Sequence, residues 1–338
     1  MINFQYARAT DVDDAVRRIA ANPAAKFIAG GTNLIDLMKE NVERPPLLID
    51  ISRLPLDKVE ETTGGGLRIG ALVPNSDLAY HPLITSRYPL VGSAILAGAS
   101  QQLRNMASTG GNLLQRTRCA YFYDTATPCN KRDPNSGCSA IGGLNRGHAI
   151  LGASEACVAT HPSDMCVALT ALDAKVHVAG PSGARAIAFA DFHRLPGDTP
   201  QRDTNLQPDE IITAIELPPA GFAKNYSYLK IRDRLSYAFA LVAIAAALEL
   251  DGSNIKEARL ALGGVAHKPW RDPNAEAALR GRPATESSFA QAADLLLREA
   301  KPLEHNAFKI DLARRGIVRT LTQAANGTPQ SQSNKKIA

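Results

Sequence analysis

The chain has 338 residues, 45% hydrophobic and 21% charged, which is too long for one small core and suggests two or three soluble globular units. The net charge of +5 comes from scattered basic residues interleaved with acidic ones, with Lys335 and Lys336 in the terminal tail. Without a basic stripe or a known binding motif, that balance points away from a nucleic-acid partner. Met1 to Asp14 lacks the basic start, apolar run and cleavage site of a secretory signal, so the sequence by itself reads cytoplasmic. Tyr237 to Leu248, the longest apolar stretch, is too short to span a bilayer, so no membrane insertion is expected.

In chain order, Val12, Ala15, Val16 and Ile19 recur at helical spacing over residues 11–21, with Asp11 as the cap. A short strand, Lys26 to Ala29, leads into Gly30-Gly31-Thr32-Asn33, a helix from Leu34 to Lys39 and a buried strand at Leu47 to Ile51. After Gly64-Gly65-Gly66 come a strand at Leu67 to Ala71, a helix capped by Asn75-Ser76-Asp77, and an apolar helix at Leu90 to Ala99. The stretch from Arg118 to Cys157 is rich in Asn, Gly, Asp and Pro and reads as a long ordered loop. Regular structure returns at Val158 to Leu172 and Ala174 to Val178.

From about residue 222 the pattern is strands followed by helices, an α+β arrangement. Tyr226 to Ile231, Ala238 to Leu250 and Ile255 to Leu262 read as strands, with a hairpin turn at Asp251-Gly252-Ser253. Helices are expected at 285–300 and 307–324, and a disordered tail at 327–338. The domains expected are lobes at 1–56 and 57–221, the second carrying the loop 118–157, then a unit at 222–326.

Ala29-Gly30-Gly31-Thr32-Asn33-Leu34 joins a strand to a helix. Paired glycines there let successive backbone N–H groups face one concavity, which suits a phosphate or pyrophosphate, although plain turn chemistry is the commoner use. Ser108-Thr109-Gly110-Gly111-Asn112, Leu72 to Ser76, and Thr160-His161-Pro162-Ser163-Asp164 offer three further hydrogen-bonding turns. None has glycines at the first, third and sixth positions, which points away from a nicotinamide Rossmann site.

All five cysteines lie between Cys119 and Cys166, a clustering that argues for a local metal or iron–sulfur site. The spacing of Cys119, Cys129, Cys138 and Cys157 matches neither a zinc knuckle nor the compact ferredoxin run. Alone it leaves a [4Fe–4S] cluster, zinc and free thiols open. Cys166 sits in an apolar helical run and reads as a small buried hydrophobe.

Taken in order, the four turn segments resemble the FAD-binding subunit of the xanthine dehydrogenase and aldehyde oxidase family of molybdenum hydroxylases. Ala261-Leu262-Gly263-Gly264-Val265-Ala266 resembles that family's carbon-monoxide-dehydrogenase-type C-terminal domain, and the first part its two-lobed, vanillyl-alcohol-oxidase-type flavin domain. The resemblance implies FAD held by residues 29–34 (Ala29, Gly30, Gly31, Thr32, Asn33, Leu34) and 108–112 (Ser108, Thr109, Gly110, Gly111, Asn112), with Asp164 and Lys230 as further contacts. It also implies a heterotrimer with a large molybdenum-cofactor subunit and a small subunit bearing two [2Fe–2S] clusters, and an external electron acceptor.

Arg118 to Asp124 and Asn145 to Gly152 resemble the inserted [4Fe–4S] loop of periplasmic aldehyde oxidoreductases. That similarity implies a cluster on Cys119, Cys129, Cys138 and Cys157, and export to the periplasm with a signal-bearing partner. A 4-hydroxybenzoyl-CoA reductase-like or xanthine dehydrogenase-like subunit is the nearer alternative. A non-catalytic zinc-binding interaction module is the more distant one.

Overall fold

The computed structural model describes residues 1–219 and 222–333. Three sheets organise them. The first is a parallel sheet of β1 (Gln5–Arg8), β2 (Lys26–Ile28) and β3 (Leu47–Asp50), with β3 in the middle. Its covering helix, Val12–Ala21, begins where the Asp11 carboxylate accepts the Asp14 N–H at 2.7 Å. Ala15, Val16 and Ile19 on one face of that helix are buried, as their spacing requires.

The second sheet is antiparallel and joins distant segments: β4 (Val59–Glu61), β5 (Leu67–Gly70), β6 (Lys175–Gly180), β7 (Gly183–Ala188) and β8 (Ile211–Leu217). Its order is β4-β5-β8-β6-β7, so the long excursion from residue 71 to 174 leaves and re-enters one sheet. The third sheet, β9 (Asn225–Ile231), β10 (Val242–Asp251) and β11 (Asn254–Gly263), is an antiparallel meander with β10 central.

β10 is buried on both faces, and its alternation explains its alanine content. Ala243, Ala245 and Ala247 face the core of the second lobe, while Val242, Ile244, Ala246 and Leu248 face helices Glu286–Leu296 and Phe308–Ala325. Small side chains let helix Asp164–Ala171 approach the sheet closely. A Cβ on Gly263 would lie 2.5 Å from Val167 Cγ2.

Several expectations need correction. The helix expected to be capped by Asn75 begins at Asn75 itself, with Pro74 in the cap position and no side-chain cap bond. The apolar helix ends at Ala97, because Ala99 has φ +50°. Residues 238–241 are not part of β10. Arg232 and Arg234 instead donate to the carbonyls of Leu235 and Tyr237, holding 232–240 as a looped segment.

The tail is held to the third sheet as far as Gln332. The Gln330 N–H donates to Ser227 Oγ at 3.1 Å, and Gln332 Nε2 to the Tyr228 carbonyl at 2.9 Å. Residues 334–338 lie outside the described residues, as do 220–221, where the expected boundary between the second and third units falls. Among the described residues no helix is long and apolar enough to cross a membrane.

Candidate functional site

A cavity of about 1130 Å³ opens between the first sheet, the second lobe and the looped segment after β9. Ala29, Gly30, Gly31, Thr32, Asn33 and Leu34 form one wall, and Ser108, Gly110, Gly111 and Asn112 another. The walls come close because Gly30 has no side chain: a Cβ there would lie 1.7 Å from the Met106 carbonyl oxygen. Gly31, at φ +71°, turns the backbone through the left-handed region into helix Leu34–Lys39. Thr109 is brought near but not to the surface. It is 1% exposed, and its Oγ1 donates to the Val73 carbonyl at 2.8 Å.

The second wall is tied together by side chains. Asn112 Nδ2 donates to Asn75 Oδ1 at 2.6 Å, and Ser163 Oγ to Asn112 Oδ1 at 2.5 Å. Ser163 Oγ also accepts the Cys166 N–H, capping helix Asp164–Ala171. Asp164 and Lys230 meet on the same cavity at 2.8 Å, with side chains 8% and 3% exposed. Tyr228 donates its hydroxyl to the other Asp164 oxygen at 2.8 Å, so both carboxylate oxygens are engaged. A Cβ on Gly98 would sit 3.0 Å from Asp164 Oδ2.

Five buried polar atoms on residues lining this cavity have no hydrogen-bond partner among the described residues: Asn33 Nδ2, Asn75 Nδ2, Arg118 Nε, His161 Nε2 and His193 Nδ1. Buried polar groups are rarely left unpaired, so such atoms mark where a polar ligand belongs. Size, glycine-lined walls and unpaired polar groups together fit a dinucleotide such as FAD. His161, Cys166 and His193 also bring their ligand atoms within 4.8 Å of one another. Burial pushes the Cys166 thiol up to about 12, and His193 Nε2 is committed to the Leu113 carbonyl at 2.9 Å. His161 and His193 are cavity wall, and Cys166 is fully buried within helix Asp164–Ala171.

Sequence reading missed Arg116, Asp203 and His193, all of which line the cavity. Arg116 follows the second glycine pair and donates to Glu43 at 2.7 Å and Asp203 at 2.9 Å. Lys131, from within the cysteine loop and 1% exposed on its side chain, also pairs with Asp203. These partners are far apart in sequence, and no local motif announces them.

The loop 118–157 is ordered around its cysteines. Cys129 and Cys138 face each other across an isolated backbone bridge, and Cys157 bridges to Ser154. All four thiols are free. Burial pushes Cys119 and Cys157 up to about 11. A metal group would supply the positive charge that their thiolates lack, and this donor set fits a tetrathiolate iron–sulfur cluster.

Residues 2–220 match the family model described as the FAD binding domain in molybdopterin dehydrogenase, and residues 226–324 the CO dehydrogenase flavoprotein C-terminal domain. The chain is 53% identical to the aldehyde oxidoreductase FAD-binding subunit PaoB of Escherichia coli K12, over 95% of this chain and 98% of that one. It is 29% identical to the glyceraldehyde dehydrogenase medium chain of Sulfolobus acidocaldarius, over 95% and 96% of the two chains. A solved carbon monoxide dehydrogenase from Hydrogenophaga pseudoflava superposes with a TM-score of 0.76 at 26% identity, covering 97% of this chain and 99% of that one. Quinoline 2-oxidoreductase from Pseudomonas putida 86 shares the fold, with a TM-score of 0.74 at 23% identity over 97% of this chain and 98% of that one. An FAD-sized cavity and both domain matches lead to one assignment: the chain belongs to the FAD-binding medium subunits of the molybdenum hydroxylase family of oxidoreductases.

Proposed function

We propose that this chain is the electron-transfer subunit of a molybdenum-containing aldehyde oxidoreductase, working with a large molybdenum-cofactor subunit and a small two-[2Fe–2S] subunit. The observation that carries the reading is the cavity of about 1130 Å³, on which both glycine turns and the Asp164–Lys230 pair converge. Likeness to an aldehyde oxidoreductase subunit over 95% of the chain supports the substrate class. Bound FAD supplies a redox centre that accepts electrons from the small subunit's clusters and releases them to an outside acceptor.

The chain's own residues bind and orient. Residues 29–34 and 108–112 present the turns of the two lobes, 1–56 and 57–221, with Asn33 and Asn75 offering unpaired amide donors. The Asp164–Lys230 pair fixes β9 against the helix at 164–171, closing the cavity from the third unit.

Cys119, Cys129, Cys138 and Cys157 hold a [4Fe–4S] cluster whose role is to brace the loop. The loop's apolar anchors sit near its ends, Phe122 and Cys129 against Leu37, and Ile150 and Leu151 in the third unit's core, with Ala140 and Ala149 the buried apolar residues between them, so metal binding contributes folding free energy to a middle stretch that buries little. On the same reading the subunit reaches the periplasm together with a signal-bearing partner. The test is composition of the gently purified complex: FAD on acid release, and about four irons per chain beyond the partners' clusters. A flavin-free complex would overturn the reading, and zinc with no iron beyond the partners' clusters would replace the [4Fe–4S] cluster by a structural metal. Fractionation of cells lacking the signal-bearing partner tests location, because this chain should then stay in the cytoplasm.

A further inference from the structure

His148 Nε2 lies 3.1 Å from Cys119 Sγ, while its Nδ1 is buried and has no hydrogen-bond partner among the described residues. The two residues are 29 positions apart, so this contact is made by the fold of the loop and not by local sequence. The backbone that carries His148 is gripped from the third unit. Lys309 Nζ donates to the His148 carbonyl at 2.8 Å, and Asn306 Nδ2 to the same oxygen at 3.2 Å and to the Ala149 carbonyl at 3.2 Å. Asn145 Oδ1, one turn earlier, accepts the His305 N–H at 3.0 Å. Asn145, Asn306 and Lys309 are all fully buried.

A buried lysine satisfied only by carbonyls is a costly way to hold a loop. Lys309 donates to Gly147, His148 and Gly264 and has no carboxylate partner among the described residues. What the clamp fixes is the backbone that carries the ring of His148.

We infer that His148 is a positioning residue for the iron–sulfur group, donating its Nε2–H to the sulfur of Cys119 and raising the group's reduction potential. The inference rests on the proposed ligation by Cys119. A ligating sulfur carries no proton, so the only hydrogen bond this contact can then make is N–H to sulfur. Such bonds stabilise the more negative, reduced state of a thiolate-bound cluster and are a principal determinant of its potential.

The test uses the full chain, loaded anaerobically with iron and sulfide, and reads iron content and the midpoint potential by EPR-monitored titration. His148→Phe should keep its iron. Its reduced-to-oxidised ratio at fixed potential should fall about tenfold, equivalent to about 59 mV for one electron. His148→Gln, which keeps an N–H donor, should recover most of that change. An unmoved midpoint in an iron-loaded His148→Phe chain would overturn the inference and leave the cluster assignment standing. If His148→Phe loses its iron, pulsed EPR of the unaltered chain carrying isotopically labelled histidine decides. Coupling to a histidine nitrogen and an exchangeable proton supports the bond, and absence of both refutes it. An unaltered chain that takes up no iron would sink the cluster reading and this inference with it.

Discussion

The backbone N–H of Arg116 donates to the Asn33 side-chain oxygen at 3.1 Å, tying the root of the cysteine loop to the glycine turn of the first lobe. The Arg116 guanidinium then reaches Asp203, which also faces Lys131. Burial acts to raise the Asp203 pKa, but the two cations overcome it and hold the carboxyl far below the ordinary range. Asp203→Asn leaves Lys131 and Arg116 without their shared countercharge. The expected loss is about 3 kcal/mol, the lower end for a broken buried pair, because Asp203 is itself 30% exposed. A lower urea midpoint at unchanged slope, with reduced FAD content, would match.

Gly30→Ala places a Cβ 1.7 Å from a backbone carbonyl that no side-chain motion can clear. The turn must open, and FAD per chain should fall at least tenfold while far-UV circular dichroism stays near that of the unaltered chain. Undiminished FAD in the variant would show that the two walls need not approach this closely.

The third expectation concerns pH. Burial pushes Lys309 down to about 7, whereas an unfolded lysine keeps its ordinary value. Between these values the unfolded chain binds more protons than the folded one, so the group makes stability rise with pH. Over the full window the contribution is on the order of a few kcal/mol. Urea unfolding of the unaltered chain and Lys309→Met, compared at about pH 7 and about pH 8.5, should show a rise that the variant lacks. Equal rises in both would place the titration elsewhere.

Elements with strong local signals were legible in the sequence. Asp11 and the Val12–Ile19 spacing mark the first helix, and Asp251-Gly252-Ser253 marks the β10–β11 turn, where Gly252 has φ +57°. The first strand boundary of β10 was not legible. Ala238 to Leu241 is as apolar as the strand it precedes, and contacts that apolarity does not announce shape the segment: Arg232 to the Leu235 and Ala97 carbonyls and Arg234 to that of Tyr237. β1 and β8 were missed because each is defined by partners distant in sequence, as Gln5 is by Leu47 and Leu217 by Leu67. The glycine turns drew attention as local motifs. Arg116, His193 and Asp203 could not, since each has its meaning only once the chain has folded.

Loss of a cysteine should act on assembly more than on electron flow. Cys129→Ser or Cys138→Ser breaks the set of four thiols at the backbone bridge. Subunit yield, FAD content and complex assembly should drop, while flavin reduction by substrate in whatever complex does assemble remains near normal. A fully assembled, FAD-replete variant with collapsed flavin reduction would place the cluster on the electron path.

The most direct test mixes the complex anaerobically with an aldehyde that it turns over and follows flavin absorbance by stopped flow, with the outside acceptor omitted. The account predicts that the flavin bleaches in a single turnover, at least as fast as steady-state catalysis with an acceptor present. A flavin that stays oxidised while the small subunit's clusters become reduced would contradict it.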